Sequence, residues 1–167
     1  MEAGLSLGSN IGGRLKALAM AKEAIVRIPG VRLKAQSPVY ETEPVDVPPE
    51  FRDRKYLNAV LVINWNNNPS ELARVLRETE TSLGRERTGE RNSPRTIDID
   101  IIYAGDSQVD EPGLKIPHPR WNTRRFVVQP LSDVRPGMRV GNEPRAVSEI
   151  LASLPDTPGV TVYSGNW

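Results

Sequence analysis

The 167-residue sequence contains no cysteine and only 5% aromatic residues. Without cysteine there is no disulfide, no thiolate metal site and no cysteine nucleophile. No apolar run approaches the roughly 20 residues needed to span a bilayer, and the N-terminal residues lack the basic and apolar regions of an export signal. These absences predict a cytoplasmic protein without a membrane partner.

Neither sign of charge dominates, because the formal net charge is +1. A nearly neutral chain has no strong general attraction for nucleic acid or for an anionic membrane, so small molecules are the expected partners. Arginine outnumbers lysine 17 to 5. Arginine binds phosphate and carboxylate bidentately, although codon or temperature bias explains such an excess equally well.

The spacing of apolar residues predicts alternating strands and helices within one domain over residues 1–167, expected to act as a monomer. In chain order the pattern predicts a strand at 3–7, a helix at 14–28, a strand from Val31 with an edge or bulge at Pro38, a strand at 56–65, a helix after Asn68 that ends at Gly84, and a strand at 97–102.

This βαββαβ order predicts an α+β fold of the ferredoxin-like type, an antiparallel sheet with helices on one face. A C-terminal extension follows, with an apolar stretch at 126–131, a short helix near 146–154 and a terminal strand around 160–163. If helices cover one face of the sheet, the other face is free to bind a ligand.

The stretch "RNSPRTIDIDII" at residues 91–102 places Asp98 and Asp100 in a strand otherwise rich in isoleucine. Strand side chains alternate in direction, so the two carboxylates share one face, with Cα atoms about 7 Å apart. Such a pair can bind hard divalent cations such as Mg²⁺. The alternative is a solvent-exposed sheet face on which two acids are harmless.

Four arginines precede this strand within eleven residues: Arg85, Arg87, Arg91 and Arg95. Metal-binding carboxylates beside guanidinium groups suit a polyphosphate, because cations offset its charge on one side and arginines bind its oxygens on the other. Each arginine alone is equally consistent with pairing to Glu86 or Glu90 in a solvated loop.

Five segments together resemble the 6-hydroxymethyl-7,8-dihydropterin pyrophosphokinase family of folate biosynthesis: "LSLGSN", "SPVYETEPV", "YLNA", "RNSPRTIDIDIIYAG" and "PHPRWNTRRFVVQPL". The resemblance runs in register over residues 3–135. It implies a ferredoxin-like fold. It also implies a transferase that moves the β,γ-pyrophosphoryl group of MgATP to the pterin hydroxymethyl group and releases AMP.

The resemblance also implies a role for individual residues. Asp98 and Asp100 hold two Mg²⁺ ions and, with Arg85 and Arg95, form the catalytic set. The implied ATP-binding residues are Glu80, Arg87, Ile101, His118 and Arg124, with Arg91 assisting. The implied pterin-binding residues are Thr42, Glu43, Pro44, Val45, Tyr56, Asn58 and Phe126. Two of them, Tyr56 and Phe126, enclose the ring, and Asn58 binds its polar edge.

Several positions depart from the pattern common in the family: Gly13, Thr88, Asn92, Ser93 and Pro119. None is an implied metal ligand or part of the implied pterin clamp, so we expect these departures to affect loop closure and rate.

The residues leave three other functions as alternatives. A two-metal nucleotidyl transferase acting on nucleic acid requires a basic channel, which the near-neutral charge disfavours. An RNA-binding sheet requires aromatic residues on its central strands, where this chain has Asn58, Asp98 and Asp100. A degenerate homologue that binds ligand without turnover remains an alternative. Taken alone, Tyr56 and Phe126 are also consistent with core aromatics, and His118 with a turn residue.

Overall fold

The computed structural model describes residues 1–44, 53–84 and 96–167. Within these ranges no helix combines the length and the apolar character needed to cross a membrane. The strands are β1 (Glu2–Ser9), β2 (Arg32–Gln36), β3 (Val39–Thr42), β4 (Tyr56–Asn64), β5 (Asp98–Ala104), β6 (Val109–Glu111), β7 (Leu114–Ile116) and β8 (Val160–Ser164). The α-helices are α1 (Arg14–Arg27), α2 (Pro69–Ser82), α3 (Arg125–Val134) and α4 (Val147–Ser153).

The main sheet has the strand order β5-β1-β4-β3-β8, and β2 also pairs with β4. Every pairing in it is antiparallel. The elements from β1 to β5 follow the βαββαβ order if β2 and β3 are counted as one interrupted strand. The predicted ferredoxin-like arrangement is therefore confirmed, and β8 extends the sheet beyond β3.

The strand predicted from Val31 is divided in two at Ser37 and Pro38. Ser37 takes the place of a regular ladder residue: its N–H donates to the Val60 carbonyl at 2.9 Å, and its hydroxyl accepts from the Val60 N–H at 2.9 Å. Pro38 has no N–H to donate, so the ladder cannot continue unchanged through it. β2 and β3 therefore pair in turn with the two halves of β4.

Helices α1 and α2 cover the first face of the sheet. Leu18 and Ile25 of α1 and Leu72 of α2 are completely buried against apolar residues of β1, β4 and β5. The start of α2 is as predicted, because the Asn68 side chain accepts from the Glu71 N–H at 2.8 Å. Its end is also as predicted: Gly84 has φ +86°, a conformation that favours glycine.

The expectation that helices lie on only one face needs correction. Helices α3 and α4 belong to a second core on the other face of the sheet, in which Val128 and Ile150 are completely buried in one cluster with Val62 of β4. A register shift between β1 and β5 places both Ile102 and Tyr103 in this second core. One half of the second face is thus covered by the C-terminal extension, and the other half carries the predicted site.

Candidate active site

A row of residues crosses four strands on the second face: Asp98 of β5, Gly8 of β1, Asn58 of β4 and Tyr40 of β3. Adjacent strands lie about 4.8 Å apart, so the Cα atoms of Asp98 and Asn58 are about 10 Å apart. Gly8 lies between them, and a Cβ placed on it would approach the Asn58 amide oxygen to 3.3 Å. Glycine therefore leaves open space between a carboxylate and an amide.

Asp100 is two residues beyond Asp98, so both carboxylates project from this face. Each residue is partly exposed, whereas Ile99 between them is buried against the helices. In the part of the chain that the structure describes, no three His, Cys, Asp or Glu side chains group together to hold a metal. Two carboxylates suit Mg²⁺ bound with substrate phosphate, because Mg²⁺ usually takes one or two carboxylates together with phosphate oxygens and water.

Asn58 is bonded to another predicted pterin-binding residue, Thr42. Its side-chain N–H donates to the Thr42 hydroxyl at 2.8 Å, and both residues are buried. Because this bond fixes the amide, Asn58 presents one carbonyl oxygen and one remaining N–H in fixed directions. Tyr56 pairs with Thr42 across the β3–β4 ladder, and Phe126 is the second residue of α3; both rings are partly exposed.

The predicted ATP-binding side chains His118 and Arg124 lie beside this face. The backbone N–H of His118 donates to the Ile102 carbonyl of β5 at 2.9 Å. The Nδ1 atom of the His118 ring accepts from the backbone N–H of Arg120 at 3.1 Å. The neutral ring therefore carries its proton on Nε2. The Arg124 guanidinium carbon is 5.5 Å from the centre of the Phe126 ring, so a predicted phosphate contact adjoins a predicted pterin contact.

Burial lowers the pKa of His118 to about 4, helped by the positive charges of Arg124 and Arg120 and opposed by Asp98. The unfolded chain, with an ordinary histidine pKa near 6.5, binds a proton in a pH range where the folded protein does not. We therefore expect His118 to lower the stability of the protein as pH falls from about 6.5 towards 4. His118→Asn should give a smaller loss of melting temperature between pH 6.5 and 5 than the unmodified protein. Equal pH slopes would contradict a buried neutral imidazole.

Glu80 is 2% exposed, and its carboxylate accepts from the Ile99 N–H at 2.7 Å. Because β5 is an edge strand, an N–H group that points away from β1 has no neighbouring strand to bond to, and Glu80 accepts the hydrogen bond instead. This hydrogen bond links α2 to Ile99, the residue between Asp98 and Asp100. Direct contact of Glu80 with a nucleotide stays a prediction. The Ile101 side chain is buried on the face covered by α1 and α2, so any nucleotide contact would involve its backbone.

Some predicted site residues lie outside the described ranges: Val45, Arg85, Arg87, Arg91 and Arg95. Their roles remain predictions from the sequence. Two other predicted pterin contacts, Glu43 and Pro44, directly follow β3. Glu43 forms an ion pair with Lys55 at 3.0 Å, which links the chain just after β3 to the chain just before β4.

Two residues in the row were not predicted. Gly8 was visible only as part of the segment "LSLGSN", and its importance comes from strand register. Tyr40 was visible as one residue of an alternating strand, and its partner lies 93 positions away. Neither contact has a local signal in the sequence.

The sequence is similar to those of several known proteins. Residues 4–136 match the family model for 7,8-dihydro-6-hydroxymethylpterin-pyrophosphokinase. The 2-amino-4-hydroxy-6-hydroxymethyldihydropteridine pyrophosphokinase of Pseudomonas aeruginosa is 35% identical over 151 residues, covering 90% of each chain. The protein of the same name from Methylorubrum extorquens is 38% identical over 157 residues, covering 93% of this chain and 94% of the relative.

Solved structures support the same fold. The chain superposes on an HPPK-DHPS crystallised with substrates with a TM-score of 0.72 at 13% identity. It superposes on the Plasmodium falciparum HPPK-DHPS with pteroate with a TM-score of 0.69 at 14% identity. The chain covers 91% and 90% of its own length in these matches, but only 42% of each of the solved chains. Together with the sequence relatives, these findings show that the chain belongs to the 7,8-dihydro-6-hydroxymethylpterin-pyrophosphokinase family.

Proposed function

We propose that Asp98 and Asp100 of this chain hold two Mg²⁺ ions with ATP, while Asn58, Tyr56 and Phe126 bind 6-hydroxymethyl-7,8-dihydropterin beside them. The family reaction transfers pyrophosphate from ATP to this pterin in folate synthesis. The observation that carries the proposal is the row in which Asp98 and Asn58 face the same open space across Gly8.

The reaction between the bound substrates would need little covalent catalysis by the protein. The pterin hydroxyl oxygen forms a bond to the β-phosphorus, the bond from that phosphorus to the oxygen of the α-phosphate breaks, and AMP leaves as the hydroxyl proton is lost. Such a transfer depends mainly on positioning and charge neutralisation. Magnesium, when bound, neutralises the triphosphate and orients it.

The chain's own residues would supply the positioning. Asn58, fixed by Thr42, offers an acceptor and a donor to the edge of the pterin. Phe126 and Tyr56 would cover its two faces. Neutral His118 would donate from Nε2 to a phosphate oxygen, and the permanent charge of Arg124 would bind phosphate. Arg85 and Arg95 are proposed to act on the same phosphates during turnover.

One sheet contains residues from β1 near residue 2 to β8 near residue 164, which supports a single domain over the chain. The residues of the proposed site on β1, β3, β4, β5 and the start of α3 all lie within residues 4–136, which match the family model.

The test is formation of AMP from MgATP with 6-hydroxymethyl-7,8-dihydropterin. The matched control is 6-methyl-7,8-dihydropterin, which has the same ring but no hydroxyl. We expect AMP and the pterin diphosphate in equal amounts with the first compound and neither with the second. ADP as the nucleotide product would contradict pyrophosphoryl transfer. Tight binding of both substrates without any AMP would favour the non-catalytic homologue.

A further inference from the structure

The hydroxyl of Tyr40 donates a hydrogen bond of 2.6 Å to the Asp133 carboxylate of α3. Tyr40 is 6% exposed and is the cross-strand neighbour of Asn58. Its ring therefore lies on the same sheet face as Asn58, at the base of the proposed pterin site. Its hydroxyl contacts α3, the helix that packs on this face. This bond joins the strand beside Asn58 directly to α3.

Helix α3 carries Phe126 near its beginning and Asp133 seven residues later. Seven residues are close to two helical turns, so the two side chains project from the same side of the helix. Another polar attachment lies near the end of α3, where Arg135 forms a bidentate ion pair with Glu2 of β1 at 2.8 and 3.0 Å. The hydroxyl of Tyr103 donates to the same carboxylate at 2.8 Å.

The two attachments are chemically alike but differ in position. In each, a buried tyrosine donates to a carboxylate. The pKa of each tyrosine is raised, mainly by burial and then by its carboxylate partner, and that of Tyr40 rises to about 12. Both hydroxyls therefore keep their protons at physiological pH. The Tyr103 attachment is at the start of β1, far from Gly8, whereas Tyr40 is in the site row itself.

We propose that Tyr40 is a positioning residue for pterin binding, which holds α3 so that Phe126 and Tyr56 keep the separation that a flat ring requires. This inference rests on the proposed function. A ring enclosed between two walls makes contacts that fall off steeply with distance, so a small displacement of α3 reduces affinity without removing any contacting residue.

Tyr40→Phe removes the hydroxyl and keeps the ring, and Tyr103→Phe is the matched control. Each variant loses the partly buried hydrogen bond from its tyrosine to the carboxylate, and we expect each to lower the melting temperature by about 2–4 °C. Affinity for a pterin substrate analogue is measured by calorimetry in the presence of a non-hydrolysable ATP analogue and Mg²⁺. Tyr40→Phe should weaken pterin binding about threefold or more. Tyr103→Phe should leave it unchanged, and the affinity of both variants for the ATP analogue should match that of the unmodified protein.

The carboxylate gives a second, independent pair of variants. Asp133→Asn keeps an oxygen that accepts from Tyr40 and should retain most of the pterin affinity, whereas Asp133→Leu should lose as much as Tyr40→Phe. Asp133 is exposed, so both variants should fold. Equal pterin affinity of Tyr40→Phe and Tyr103→Phe, or of the two Asp133 variants, would overturn the inference. The proposed function has its own control: it fails if the unmodified protein does not bind the pterin analogue, or if Phe126→Ala binds it as well as the unmodified protein.

Discussion

Asp98→Ala and Asp100→Ala should each remove nearly all AMP formation while the protein remains folded. Both residues are partly exposed on the second face of the sheet, so the buried core does not depend on their carboxylates. With either one missing, the site loses half of the proposed metal-binding oxygens, and the triphosphate loses part of its charge neutralisation. We expect each kcat to fall at least tenfold, which corresponds to about 1.4 kcal/mol or more in the barrier.

Asp106→Ala is the matched control, because Asp106 is an exposed carboxylate in the turn directly after β5. It should retain the kcat and the Mg²⁺ dependence of the unmodified protein. A second measurement is the affinity for an ATP analogue with and without Mg²⁺, which should depend on Mg²⁺ in the unmodified protein and much less in the two site variants. A site variant that keeps more than about a tenth of kcat would show that its carboxylate is not needed for metal binding.

Local chemistry made the main architecture predictable. Alternation of isoleucine and aspartate placed Asp98 and Asp100 on one strand face, opposite the face that packs on α1 and α2. Asn68 carried a helix-start signal that depends only on the next few residues, and Gly84 carried the matching signal for a helix end. Signals of this kind can be recognised in the sequence because the residues that interact are close neighbours in the chain.

Features that depend on distant residues were not predictable in this way. The division between β2 and β3 arises because Ser37 bonds to Val60, and the sequence shows only a proline nearby. The packing of α3 and α4 on the second face follows from how the C-terminal extension folds back over β4. The small β6–β7 hairpin was also missed, because strands of three residues are too short for alternation to be recognised.

The site shows the same division between local and distant information. Residue types were recognisable from short segments, but the role of Gly8 follows only from its register between Asp98 and Asn58. Glu80 is similar: the family resemblance implied a nucleotide contact, which stays a prediction, and its bond to the backbone of Ile99 is visible only in the folded chain. Strand register and burial are properties of the folded chain, and a single sequence does not specify them locally.

Removal of the proposed pterin-binding groups should weaken binding of the pterin and leave binding of MgATP nearly unchanged. Phe126→Ala deletes one proposed wall of the site, and a stacked ring is worth on the order of 1–3 kcal/mol per aromatic contact. Asn58→Ala deletes the amide and leaves the polar edge of the pterin without a partner, at a cost of about 1–3 kcal/mol. Each variant should therefore weaken pterin binding about tenfold, while the affinity for MgATP stays nearly constant.

Matched controls lie on the same elements or in the same sheet. Tyr163→Ala removes an aromatic side chain of β8 that is 49% exposed and whose ring centre lies 5.9 Å from the Arg14 guanidinium carbon of α1. Asn64→Ala removes an amide at the opposite end of β4 from Asn58. Both controls should bind the pterin analogue as the unmodified protein does. The measurement is titration of the analogue in the presence of a non-hydrolysable ATP analogue. Unchanged pterin affinity in both Phe126→Ala and Asn58→Ala would exclude this clamp, and a parallel loss of MgATP affinity would show that these residues support the whole site and do not select the pterin.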